Sequence, residues 1–100
     1  MAGVLILNRA DVERLLDPDA LVERLATAMV DLSAGRADVP ARIGALVPEQ
    51  GGMLAAMPAF VPSLGALEAK LVSVFPHANP SHRAVIVCFV IAPAWRRRGV

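Results

Sequence analysis

The chain has 100 residues, of which 56% are apolar and 19% charged, and its formal net charge is +1. A nearly neutral chain has no overall field that would attract nucleic acid or an anionic membrane, so neither is expected as a partner. The longest apolar stretch, residues 84–95, contains Pro93 and is far shorter than the about 20 residues of a membrane helix. The single cysteine, Cys88, lies in this stretch, where we predict it to be buried, and it suits a reducing, cytoplasmic location.

The amino-terminal segment predicts a strand followed by a first helix. Residues 4–7 are all apolar and indicate a short buried strand. Asn8 can cap the helix that follows, because its side-chain oxygen can accept a hydrogen bond from a free backbone N–H of the first turn. Asp11, three residues later, is the expected partner in a capping box.

A second helix is predicted from Asp17 to about Ala34. Asp17 is a favourable cap, and Pro18 follows at the first helical position, where the missing N–H of proline costs nothing. Gly35 ends the helix, since glycine accepts the left-handed backbone conformation common at helix ends. Apolar residues recur at spacings of three and four and define the apolar side of this helix, with Glu23, Arg24 and Asp31 elsewhere. These apolar residues are Leu21, Leu25, Ala28, Met29 and Leu32.

The remainder of the chain predicts a meander of strands. Four strand-like segments are separated by short runs of proline, glycine, serine and asparagine, and these connections suit antiparallel neighbours. The segments are residues 39–47, 52–60, 67–75 and 84–91. The predicted fold class is α+β, with two amino-terminal helices packed on a mainly antiparallel sheet. The apolar content exceeds the roughly 45–50% usual for globular domains, so we expect part of the surface to pack against another domain or subunit.

Most signatures of catalytic or cofactor sites are missing from the sequence. The glycines never form G-x-G-x-x-G after a strand, so no dinucleotide fingerprint is present. His77 and His82 lie five residues apart with one cysteine in the chain, which is a poor zinc pattern, and no metal is predicted. There is no nucleophile elbow and no phosphate loop. We therefore expect no catalysis from this sequence by itself.

Two cations inside apolar strands are the remaining candidates. Arg42 and Lys70 interrupt the strand-like segments 39–47 and 67–75, and Lys70 shares a face with Val72 and Val74 if its strand is regular. An arginine fork and an amine in one cleft would suit a carboxylate ligand. The alternative is that both are solvated rim charges whose apolar stems lie along the sheet.

Seven short blocks, in order between residues 4 and 89, resemble the ornithine cyclodeaminase/mu-crystallin family. The most specific is Lys-Leu-Val-Ser-Val-Phe-Pro at residues 70–76. The others are residues 5–12, 15–17, 32–36, 39–42, 57–60 and 80–84. Arg83 stands where the family usually has glutamine, and residues 77–80 form a shorter loop than is common in the family.

The resemblance implies an NAD- or NADP-dependent enzyme of amino-acid metabolism, either a cyclodeaminase lyase or an oxidoreductase, that is a homodimer in its full-length form. Its substrate would be a small amino or imino acid, from or to which the cofactor moves a hydride. Arg42 matches the arginine that binds the substrate carboxylate, and Lys70 matches the active-site lysine. Ser81 matches a hydroxyl residue that reaches the cofactor.

Residues 1–89 are interpreted as a partial substrate-binding and dimerisation domain, with the Rossmann domain absent. Residues 90–100 match nothing expected of the family and are predicted to be a divergent, disordered tail, from a reading frame lost near Phe89. We expect such a truncated chain to bind no cofactor and to be inactive alone. Two alternatives stay open: a non-enzymatic dimerisation or interaction module on the same fold, and an unrelated α+β domain. The unrelated domain would be favoured if Arg42 and Lys70 pointed to opposite sides of the sheet.

Overall fold

The computed structural model describes residues 3–91, which form two helices followed by a four-stranded sheet. The predicted α+β fold class is confirmed. One-turn 3-10 helices, Pro48–Gln50 and Pro62–Leu64, connect the first three strands. The helices and strands are α1 (Arg9–Leu15), α2 (Pro18–Ser33), β1 (Ile43–Val47), β2 (Gly52–Val61), β3 (Ala66–Val74) and β4 (His82–Phe89).

Both helices begin at the predicted caps. The Asn8 side chain accepts a hydrogen bond from the backbone N–H of Asp11 at 2.9 Å, and the Asp11 carboxylate accepts one from the backbone N–H of Asn8 at 3.0 Å. This reciprocal pair satisfies two donors that the first turn of a helix leaves free. At α2, the Asp17 carboxylate accepts from Asp19 at 3.0 Å. Neither α1 nor α2 is long and apolar enough to cross a membrane.

The sheet has the order β1-β2-β3-β4, and every pair of neighbours is antiparallel, as the short connections predicted. Each of the first two connections ends in a glycine with positive φ, 63° at Gly51 and 59° at Gly65. Side chains with a Cβ rarely adopt this left-handed conformation, so glycine permits the tight return to the next strand. After β3, the Phe75 N–H donates to the Ser81 carbonyl at 2.8 Å and closes the third connection.

Two predicted strand segments are not strands. Residues 4–7 have no secondary structure, and Val4, Leu5 and Ile6 are at least 82% exposed. An apolar run becomes a strand only when a partner satisfies its backbone groups, and none of the described residues pairs with this one. Residues 39–42 also lie outside β1, because Pro40 has no N–H to donate to the ladder.

The segment before β1 contains one extra residue. An isolated bridge joins Asp38 to Phe60, whereas β1 begins with Ile43 opposite Ala56. Asp38 and Ile43 are five positions apart, whereas their partners Phe60 and Ala56 are four positions apart. An unmatched residue of this kind disrupts the ladder locally and can redirect a neighbouring side chain. Arg42 is the last residue of this irregular segment.

The helix α2 does not bury the predicted apolar side. Leu25, Met29 and Leu32 are 49%, 59% and 50% exposed, whereas Asp31, which was predicted to lie away from the apolar side, is fully buried. The contacts of α2 are made mainly with the turn Pro62–Leu64 and to a lesser extent with β2. Large apolar residues of β1 and β4 are exposed as well, which agrees with the apolar excess of the sequence.

Val90 and Ile91 follow β4 without regular structure, and Val90 is 95% exposed. The predicted last strand, 84–91, is thus shifted by two residues toward the amino terminus. The rest of the predicted tail, residues 92–100, lies outside the described residues, so the prediction of disorder there stays a prediction.

Candidate functional site

The pairing register assigns each strand residue to one of two faces of the sheet, because directly opposed residues of antiparallel strands point to the same side. Lys70 is opposite Met57 on β2 and Ile86 on β4. We call this side the Lys70 face. Its members on β2, β3 and β4 include Met53, Ala55, Met57, Ala59, Glu68, Lys70, Val72, Ala84, Ile86 and Cys88.

Arg42 lies one residue before the first paired residue of β1, and extending the register by that residue puts it on the face of Lys70. When the β1–β2 pairing is continued by one residue from Ile43, Arg42 comes opposite Met57, which is itself opposite Lys70. Neighbouring strands are about 4.8 Å apart, so the two backbones lie about 10 Å apart across β2. Long arginine and lysine side chains can close much of this gap. On this geometry an unrelated α+β domain stays an alternative, because Arg42 lies outside the paired residues of β1.

Both cations are exposed, and neither forms an ion pair with any residue in the range 3–91. The side chain between their rows, Met57, is apolar and half-buried. A guanidinium fork and an ammonium group around an apolar floor can bind a carboxylate, with arginine making two parallel hydrogen bonds and lysine acting as a point charge.

Ser81 lies apart from this pair. Ser81 lies opposite Phe75 at the turn between β3 and β4. Phe75 is five positions from Lys70 along the strand direction, which corresponds to about 17 Å. The Ser81 hydroxyl is 2.8 Å from Nδ1 of His82. The structure leaves Ser81 at the end of the sheet, away from Lys70. The shared site of Arg42 and Lys70 and the cofactor contact of Ser81 both stay predictions.

An acidic residue on the Lys70 face was missed by the sequence analysis. Glu68 lies two residues before Lys70 on β3 and directly opposite Cys88 on β4. The Cys88 thiol donates a hydrogen bond to Oε2 of Glu68 over 3.7 Å. Partial burial, and then the negative charge of Glu68, raise the pKa of Cys88. The period-two pattern of the strand, Glu-Ala-Lys, was the available signal.

The prediction that Cys88 is buried was wrong, because Cys88 is exposed. The apolar run that contains it forms β4, the last strand of the described sheet, and only one of its edges is paired. Val85 and Ile86 in the same strand are also exposed, at 54% and 60%. The run is apolar, but no described element covers it.

A second cluster of charges joins α2 to the turn after β2. The carboxylate of Asp31 accepts hydrogen bonds from the Ser63 hydroxyl at 2.6 Å and the Ser63 N–H at 2.9 Å, and pairs with Arg36 at 2.9 Å. We call these three residues the Asp31 latch. The hydrogen bonds from Ser63, assisted by Arg36, hold the pKa of Asp31 below its usual value. Every charge of the latch is satisfied within the chain, which identifies it as structural.

No family model matches the sequence, and the search of curated proteins finds no relative. Among solved structures, the chain is similar to the Δ(1)-pyrroline-2-carboxylate reductase of Thermococcus litoralis, determined in complex with NADH and L-proline. The TM-score is 0.75 and the identity 30%, over 85% of this chain. This chain spans 28% of the length of that reductase. The likeness supports the resemblance to the ornithine cyclodeaminase/mu-crystallin family over the part that it covers.

Proposed function

We propose that the Lys70 face binds the carboxylate of a small amino or imino acid and forms the substrate side of an NAD(P)-dependent oxidoreductase. The observation that carries this proposal is that neither Lys70, on one face of the sheet, nor Arg42, one residue before the paired part of β1, is neutralised by a described residue. The similarity to a reductase that binds L-proline and NADH supports it.

The two cations would fix the carboxylate and thereby the orientation of the adjacent carbon. Arg42 would donate two parallel hydrogen bonds to the carboxylate, and Lys70 would add a compact positive charge from the other side of Met57. Holding a substrate by a group that does not react is an effective way to position the carbon that does react. When bound, NAD(P) would accept or supply a hydride at the carbon that carries the nitrogen.

On this proposal, residues outside the range 3–91 bind the nucleotide. Residues 3–91 contain no glycine-rich loop that leads from a strand into a helix, which is the usual cradle for a pyrophosphate. The hydroxyl of Ser81 also lies within hydrogen-bond distance of His82. We therefore expect that mixing NADH with this chain alone changes neither the fluorescence of NADH nor the amide NMR spectrum of the protein. Saturable NADH binding would contradict this assignment.

A non-enzymatic dimerisation module is the second candidate. It is favoured by the exposed large apolar residues of α2, β1 and β4, since homodimer interfaces commonly bury apolar faces. Sedimentation equilibrium tests it, with a discrete dimer as the expected result. A dimer that binds no L-proline would favour this second candidate, whereas a dimer that binds L-proline would favour the carboxylate site.

Ligand titration tests the carboxylate site directly. Addition of L-proline to the labelled chain should shift amide signals on β2 and β3 with a millimolar dissociation constant, because one paired carboxylate supplies limited free energy. The variants Arg42→Ala and Lys70→Ala should each weaken binding about tenfold, which corresponds to about 1.4 kcal/mol. Arg83→Ala is the matched control, since it removes the same charge from the opposite face of the sheet. Equal weakening in all three variants, or in none, would overturn the proposal.

A further inference from the structure

We propose that Glu68 binds the cationic nitrogen of the ligand whose carboxylate is held by Arg42 and Lys70. This inference rests on the proposed function and adds a residue that selects the ligand. Glu68 and Lys70 alternate on β3 with one residue between them, so their side chains leave the same face about 7 Å apart along the strand.

The charges on this face match the shape of a zwitterion. An α-amino acid or a protonated cyclic imine carries its positive nitrogen on the carbon next to the carboxylate. Two cations and one anion on adjacent rows of a sheet offer the complementary pattern. Charges arranged in this way favour a zwitterion over an anion that lacks the positive nitrogen, because that anion meets the negative charge of Glu68 without compensation.

Glu68 is free to play this part. It forms no ion pair with Lys70 or with any other described residue, although it lies near Lys70. Its described hydrogen bond is the long contact from the Cys88 thiol to Oε2. A neutral thiol donates weakly and leaves the charge of the carboxylate intact. The other carboxylate oxygen of Glu68 has no hydrogen-bond partner among the described residues.

Two ligands of the same shape separate the roles of the charges. L-Proline and cyclopentanecarboxylate share a five-membered ring and a carboxylate, but the second has no nitrogen. The chain should bind L-proline at least fivefold more tightly. In the variant Glu68→Gln this preference should fall to about one, because proline binding weakens while cyclopentanecarboxylate binding improves when a repelling carboxylate is removed. Glu68→Asp keeps the charge and should retain a preference for L-proline.

Glu49→Gln is the control for net charge, because Glu49 lies in the turn between β1 and β2 and off the strands that carry the site. It should leave the ratio of the two affinities unchanged. If the unaltered chain binds both ligands equally well, or if Glu68→Gln keeps the fivefold preference, the role of Glu68 is wrong and the carboxylate site stands. If neither ligand binds, the proposed function and this inference fail together.

Discussion

The Asp31 latch and the Lys70 face use the same kinds of charged side chain in opposite ways. In the latch, a fully buried carboxylate receives hydrogen bonds from Ser63 and Arg36, and its charge is neutralised within the chain. Glu68 and Lys70 on the Lys70 face, and Arg42 just before β1, are exposed and form no ion pairs with described residues. Charges that are satisfied internally hold the fold together, whereas charges left open on one face are available to a ligand.

The pH dependence of stability should come from the latch. Because the pKa of Asp31 is lower in the folded chain than in the unfolded chain, its contribution is complete above the usual value of 3.8 and is lost as the pH falls through the folded pKa. The urea midpoint of the unaltered chain should therefore exceed that of Asp31→Asn most strongly at neutral pH, with the gap closing in acid. A gap that stays constant from pH 7 to pH 2 would contradict this. We expect Asp31→Asn to be the most destabilising of the substitutions named here.

Ser63→Ala should give the next largest effect. It removes the hydroxyl that lies 2.6 Å from the buried carboxylate but keeps the backbone N–H at 2.9 Å. Loss of a hydrogen bond to a charged group costs about 1–3 kcal/mol, which urea unfolding followed by circular dichroism would measure. Ser33→Ala, at the exposed end of α2, is the control and should change stability by less than about 0.5 kcal/mol. Equal losses in the two variants would show that the latch is not a specific contact.

Substitutions on the Lys70 face should change stability least. Arg42→Ala and Lys70→Ala remove exposed, unpaired cations, so we expect changes within about 0.5 kcal/mol by the same urea measurement. A loss above about 1 kcal/mol would mean that these side chains stabilise the fold, and the contrast with the latch would disappear.

The local signals in the sequence predicted much of the fold. The caps at Asn8 and Asp17 and the turns with Gly51 and Gly65 depend on neighbouring residues only, and all four appear in the structure. The burial of residues 4–7 and of the apolar side of α2 depends on partners elsewhere, which no local pattern reveals. This burial was predicted from composition and periodicity, and it is absent because no described element covers these residues.

The candidate site was also predicted only in part, because some of its contacts join residues that are far apart in the sequence. Lys70 stood out as a cation in an apolar strand, whereas the face of Arg42 stays a prediction, because Arg42 lies outside the paired residues of β1. Glu68 was overlooked although strand alternation put it on the face of Lys70, since its contact with Cys88 spans 20 residues of sequence. Asp31 was assigned to the outer side of α2 because its contact with Ser63 spans 32 residues. Pairings at such separations follow from the register and the turns, which the sequence alone does not specify.

The most direct test of the central claim is a double-substitution cycle on Arg42 and Lys70, with L-proline affinity as the readout. If both cations hold one carboxylate, the losses of Arg42→Ala and Lys70→Ala should not add, and the coupling free energy should be about 0.5–3 kcal/mol. If the two losses add to within about 0.5 kcal/mol, the cations act independently and do not form one site on the Lys70 face.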